Sequence, residues 1–180
     1  MFSIFKKKKL SEDQAAQLFV NSVVRLVDEG FDDVIEIIKN DPEFERVPLI
    51  DEDAIDKFLL IIIGGNLKLL GQNFQNNRDV VIADRIIRKL AQILHVEPQV
   101  LKETISNYQS WMSQINHPSK NEVYAMSKGI FFKYKLNQYQ SEYFRNMNTP
   151  NPIFLKRLDE IVTQFIFDWT DIKENYRIVA

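Results

Sequence analysis

The chain has 180 residues, of which 45% are hydrophobic and 27% charged, with a formal net charge of −2. That balance excludes a disordered or fibrous chain and a globally basic nucleic-acid coat, and it suits one domain that buries about 70% of its unfolded surface. Cysteine is absent and the only histidines are His95 and His117, which excludes disulfide scaffolds, thiolate chemistry and a metal site built on three imidazoles of one chain.

The chain opens with Phe2, Ile4 and Phe5 and continues with Lys6, Lys7, Lys8 and Lys9. A secretory signal places its basic residues first, so no signal peptide is expected. Apolar side chains beside a lysine run suit an anionic membrane surface, where the former insert and the latter meet headgroups. Residues 1–10 are therefore expected to form a flexible tail and a candidate membrane contact, and residues 11–180 a single helical domain.

Ser11 with Gln14 three residues on is a capping-box pattern, so the first helix is predicted to begin there. Ala16, Phe19, Val23, Leu26 and Val27 follow at spacings of three and four, and Gly30 is predicted to end the helix. A short second helix is predicted over residues 32–40, stopped by Asp41-Pro42. Residues 43–50 read as a loop with Phe44 and Leu49 tucked beneath it. Asp51 and Asp53 are candidate caps of a third helix that holds the apolar run 58–63. Gly64-Gly65 within it predicts either close approach of another helix or a kink. The run is too short to cross a bilayer, which takes about 20 apolar residues.

A fourth helix is predicted from about residue 78 to Leu94, with a stripe that includes Val80, Ala83, Ile87 and Leu90. Pro98 suits the first position of a fifth, which His117-Pro118 ends. Ser119 and Glu122 make a second capping-box pattern for a sixth helix reaching Tyr143. Asn151 and Pro152 open a seventh, whose apolar positions Phe154, Leu158, Ile161, Phe165, Trp169, Ile172 and Tyr176 predict about 25 helical residues. No alternation of strand type extends beyond four residues. The fold class expected is all-α, an irregular bundle of six or seven helices.

Charge is unevenly placed. Residues 28–56 carry twelve acids against two bases, and residues 57–157 carry fourteen bases against six acids. The acids do not make a calcium loop: counted from Asp51 it would need a ligand at Ile55 and glycine at Asp56, and counted from Asp28 a ligand at Gly30 and glycine at Asp33. No Glu-x-x-His pair, nucleophile elbow or glycine-rich phosphate loop is present. No catalytic residue, metal or cofactor is expected.

Residues 120–145 interleave aromatics with bases, and Lys128, Lys133, Tyr134, Lys135 and Arg145 form a candidate partner face. Stacking on single-stranded nucleic acid needs such a mixture, but helical spacing assigns half of these aromatics to the core, so nucleic acid is not the expected partner. The expectation is a non-enzymatic protein-interaction or scaffold module of the cytoplasm, with a symmetric dimer through the last helix as its self-association. The alternatives are a peripheral membrane protein held by its first nine residues, and a small-ligand binder or enzyme with a pocket near Gly64-Gly65.

Overall fold

The computed structural model describes residues 7–51 and 54–180. Phe2, Ile4, Phe5 and Lys6, expected at a membrane, lie outside the described residues, as does Asp53, expected as a cap. Among the described residues the chain forms eight α-helices and two short strands, an all-α bundle with one small sheet. The order is β1 (Lys8–Ser11), α1 (Glu12–Lys39), α2 (Ile55–Asn73), α3 (Arg78–Leu94), α4 (Pro98–Asn116) and α5 (Glu122–Lys133). A 3-10 turn (Leu136–Tyr139) follows, then α6 (Glu142–Met147), α7 (Pro152–Thr163), α8 (Trp169–Asn175) and β2 (Tyr176–Val179).

The capping box at Ser11 forms as its residues predict. The Ser11 hydroxyl accepts from the Gln14 N–H at 3.1 Å, and the Gln14 side chain accepts from the Ser11 N–H at 2.9 Å. The helix does not stop at Gly30. It continues to Lys39, so the two helices expected over residues 11–40 are one. The glycine serves packing instead: a Cβ there would lie 3.1 Å from the Phe165 ring.

α2 is the central element, with Phe58, Ile61, Ile62, Ile63 and Leu70 fully buried. It begins without a side-chain cap, since Ala54 holds the cap position and Asp51 offers only its backbone oxygen, 3.0 Å from the Ala54 N–H. Gly64-Gly65 does not interrupt the helix. Met112 of α4 covers Gly64, and Met126 of α5 occupies the space a Gly65 side chain would need. Close approach, not a kink, explains the pair.

Two expected helices are divided. The sixth ends at Lys133, because Tyr134 turns inward and Lys135 takes a left-handed conformation at φ 54°. Its cap is Asn121, whose side chain accepts from the Tyr124 N–H at 3.1 Å, and Ser119 supports Asn121 rather than the helix. The long last helix ends at Thr163. There Phe165 packs edge-to-face on Phe58 at 5.1 Å, while Phe167 and Trp169 join Phe19 in an aromatic nest. Helical spacing of aromatics cannot distinguish that nest from a stripe.

Residues 8–10, expected in the tail, instead pair in parallel with β2, in the register Lys8 with Tyr176, Lys9 with Arg177 and Leu10 with Ile178. Leu10 and Ile178 turn into the core and hold the pair there. Leu49, expected under its loop, is 81% exposed, and the neighbouring Pro48 is buried instead. No helix among the described residues is long and apolar enough to cross a membrane.

Candidate functional site

Continuity of α1 through Gly30 has a consequence for charge. Asp28, Glu29, Asp32, Asp33 and Glu36, expected around a helix–helix turn, lie on one unbroken helix and are all exposed. Residues four apart are neighbours on a helix, so 28 faces 32, 29 faces 33 and 32 faces 36, each a repulsive pair. None of the five meets a cation within ion-pair distance among the described residues. The last turn of a helix carries the negative end of its dipole, where cations are the stabilising charges, and of the five acids Glu36 lies in it. Lys39 is the one base in the last turn.

The ridge runs into a groove of about 520 Å³ between the end of α1 and α7. Asp33, Glu36 and Ile37 form its wall and Pro42 its apolar lip. Its floor is an ion pair: Arg157 donates from Nε to Asp41 Oδ2 at 2.8 Å and from Nη2 to Asp41 Oδ1 at 2.7 Å. Asp41 is almost completely buried, which raises the strength of that fork. The hydrogen bond to Asp41 also raises the Arg157 pKa above its ordinary value, so the guanidinium stays charged.

The floor is braced from below. Glu43 lies 3.7 Å from the same guanidinium and accepts from Asn151 Nδ2 at 2.6 Å. The Asn151 N–H donates to the buried Gln140 side chain at 2.6 Å, whose amide donates to Thr149 O and Asn137 Oδ1. Thus Asp41 and Arg157 are spent on each other, while Asp33 and Glu36 stand unpartnered above them. Among the described residues no three carboxylates or imidazoles converge as a metal ion would need. The arrangement offers a rigid, negatively charged and partly apolar trough, suited to an ammonium or guanidinium group on an apolar stem.

The expected partner face does not assemble as one surface. Tyr134 is buried, and its hydroxyl donates to Ala54 O at 2.7 Å because the chain turns inward there. Burial raises its pKa further above the phenol range. Lys133 lies 4.4 Å over Tyr108 and 4.6 Å over Trp111, and Lys128 lies 4.4 Å over Tyr124. Arg145 donates to Gln140 O at 3.1 Å and faces Glu45 at 3.7 Å. Lys135 is exposed. Most of these cations are engaged within the fold.

A larger groove of about 620 Å³ between α1, α3 and α4 is the basic one, with Asp13 and Asp84 against Arg85, Arg88, Lys89 and Lys102, and its acids are taken up by its own bases. Asp13 meets Lys89 at 3.0 Å, and Asp84 meets Arg88 at 2.7 Å. The space near Gly64-Gly65, expected as a pocket, is filled by the two methionines. Sequence reasoning missed the Asp41–Arg157 floor, whose partners are 116 residues apart and carry no local signal.

Fold and site together define a helical bundle whose longest helix ends in an acidic groove. Comparison with known proteins adds nothing to that class: no family model, no curated protein and no solved structure matches the chain.

Proposed function

We propose that this protein is a non-enzymatic interaction module that receives a cationic, partly apolar segment of a partner protein in the groove at the C-terminal end of α1. The observation that carries the reading is the set of exposed, unpartnered carboxylates along the C-terminal half of a 28-residue helix. Each of them costs stability through its like-charged neighbours, and Glu36 also through the helix dipole. A cationic ligand reverses that cost, and a local conflict of this kind is the signature of a site. Ile37, 46% exposed, and Leu26, 36% exposed, supply apolar contact along the same ridge.

The test is titration calorimetry with a synthetic peptide of alternating leucine and lysine pairs, at low and physiological salt. Binding is expected to weaken at the higher salt and to fall by about tenfold in the Asp33→Asn/Glu36→Gln variant, as for the loss of two half-exposed ion pairs. Asp171→Asn/Glu174→Gln, a pair of exposed acids on α8, is the control for non-specific attraction. Equal loss in both variants, or no loss in the first, overturns the reading.

A further inference from the structure

We propose that the partner whose cationic, partly apolar segment enters the acidic groove is a second copy of this chain, which presents to it the basic groove between its own α1, α3 and α4. This rests on the acidic groove being a site for cations and adds who supplies them. α3 lines the basic groove with Val80, Val81, Asp84, Arg85 and Arg88, at spacings of three and four, so one helix face carries an apolar end and a basic end. Val80 is 60% exposed and Val81 38%. Lys102 joins them from α4.

Ion pairs within the basic groove use up its acids and leave bases over. Asp84 holds Arg88 and Asp13 holds Lys89, while Arg85 is shared between Asp13 and Glu12 at 3.8 Å each. Glu12 is also taken by Arg78, at 3.5 Å. Lys102 enters no ion pair among the described residues, and neither Asp79 nor Asp84, which line the adjoining cleft with it, comes within ion-pair distance of it. The Arg88 side chain is 67% exposed, and a pair so open to water holds its guanidinium weakly. The lining thus carries four bases against two acids, and that of the acidic groove three acids against one base. The two surpluses are equal and opposite. Apolar side chains flank both, Val80 and Val81 beside the bases and Ile37 and Pro42 beside the acids.

The two surfaces cannot meet within one chain. Asp13 of the basic groove and Asp33 of the acidic one stand twenty residues apart on α1, about 30 Å at 1.5 Å per residue. Between copies they meet head-to-tail. Such a contact is heterologous: each copy uses one surface and keeps the other open, so the assembly extends as a chain or closes as a ring.

The experiment is sedimentation velocity of the full chain across protein concentration, at low and physiological salt. The sedimentation coefficient is expected to rise with concentration, and to rise less at the higher salt. Asp33→Asn/Glu36→Gln removes the free acids and Arg88→Gln/Lys102→Gln the available bases, and each is expected to weaken association about tenfold. All four side chains are exposed, and an unchanged circular dichroism spectrum checks the fold. An equimolar mixture of the two variants is expected to form dimers and nothing larger, because each brings one intact surface. Excess leucine–lysine peptide is expected to return the parent to monomer, since it competes for the same carboxylates. Several results overturn the proposal. One is a parent that stays monomeric at low salt. Another is association that either variant, or the peptide, leaves intact. A third is a mixture that recovers no dimer, which would mean that like surfaces meet about a two-fold axis. A monomeric parent that still binds the peptide keeps the groove as a cation site and removes only the second copy, so the two failures are distinguishable.

Discussion

Asn66 is fully buried, yet all three of its bonds are made. Its Nδ2 donates to Ile62 O at 2.9 Å and to Phe165 O at 3.0 Å, and its Oδ1 accepts from the Phe167 N–H at 2.8 Å. It takes up the backbone that the broken last helix leaves open. Asn66→Ala strands one carbonyl and one N–H, and each buried orphan costs about 1–3 kcal/mol. The expected loss in urea unfolding is therefore about 3 kcal/mol, and a loss well under 1 would mean that water replaces the clamp. In the sequence Asn66 reads only as the end of an apolar run, because a partner about a hundred residues away leaves no local trace. The adjacent glycines are legible as a close approach or a kink, and only Met112 and Met126 packed on them decide which and show which is tighter. Gly65→Ala drives a methyl into Met126 and is expected to cost about 1–3 kcal/mol. Gly64→Ala meets only the flexible end of Met112 and is expected to cost less. Asp159 gives a pH signature. Burial raises its pKa, and one carboxylate oxygen is buried with no hydrogen-bond partner. A carboxyl whose folded pKa is raised is penalised once ionised, so its share of stability is complete below the unfolded pKa and lost as pH rises through the folded one. Asp159→Asn is expected to be more stable than the parent at neutral pH, with the gap closing on acidification below the ordinary aspartate range. A constant gap would refute the assignment.

At the scale of the element, α1 shows what periodicity can and cannot deliver. Ser11 and Gln14 mark its start because a cap is a local bond, readable from four residues. Its end was misread at Gly30 because a glycine inside a helix and a glycine after one look alike in sequence, and only the Phe165 ring packed there distinguishes them. The same limit divided the sixth and seventh predicted helices, where aromatic residues at helical spacing belong to turns held by tertiary contact. The acids of α1 were legible as residues, and their grouping on one continuous ridge was not. That ridge carries its own prediction. Asp33→Asn and Glu36→Gln each relieve like-charged neighbours, and Glu36→Gln also removes a charge from the last turn, so each is expected to stabilise the free chain by about 0.3–1 kcal/mol at low salt. Thermal unfolding at increasing ionic strength checks it, because screening should shrink the gain. A destabilisation would mean that these carboxylates are paired in solution.

For the whole molecule α1 acts as a spine with opposite charges at its ends. The lysine-bearing strand precedes its first residue, and the acidic groove adjoins its last. Twenty-eight residues at 1.5 Å each separate the two ends by about 42 Å. The Debye length is about 10 Å at 0.1 M salt, so the two fields are screened from one another. Sites this far apart with no shared side chains should behave additively. The expected result is that Lys8→Gln/Lys9→Gln/Arg177→Gln leaves peptide binding at the groove unchanged at 0.1 M salt, a concentration at which screening is about 10 Å. A loss of peptide binding in that variant would mean that the charged strand end of one copy meets the groove of another, and sedimentation velocity across protein concentration checks this.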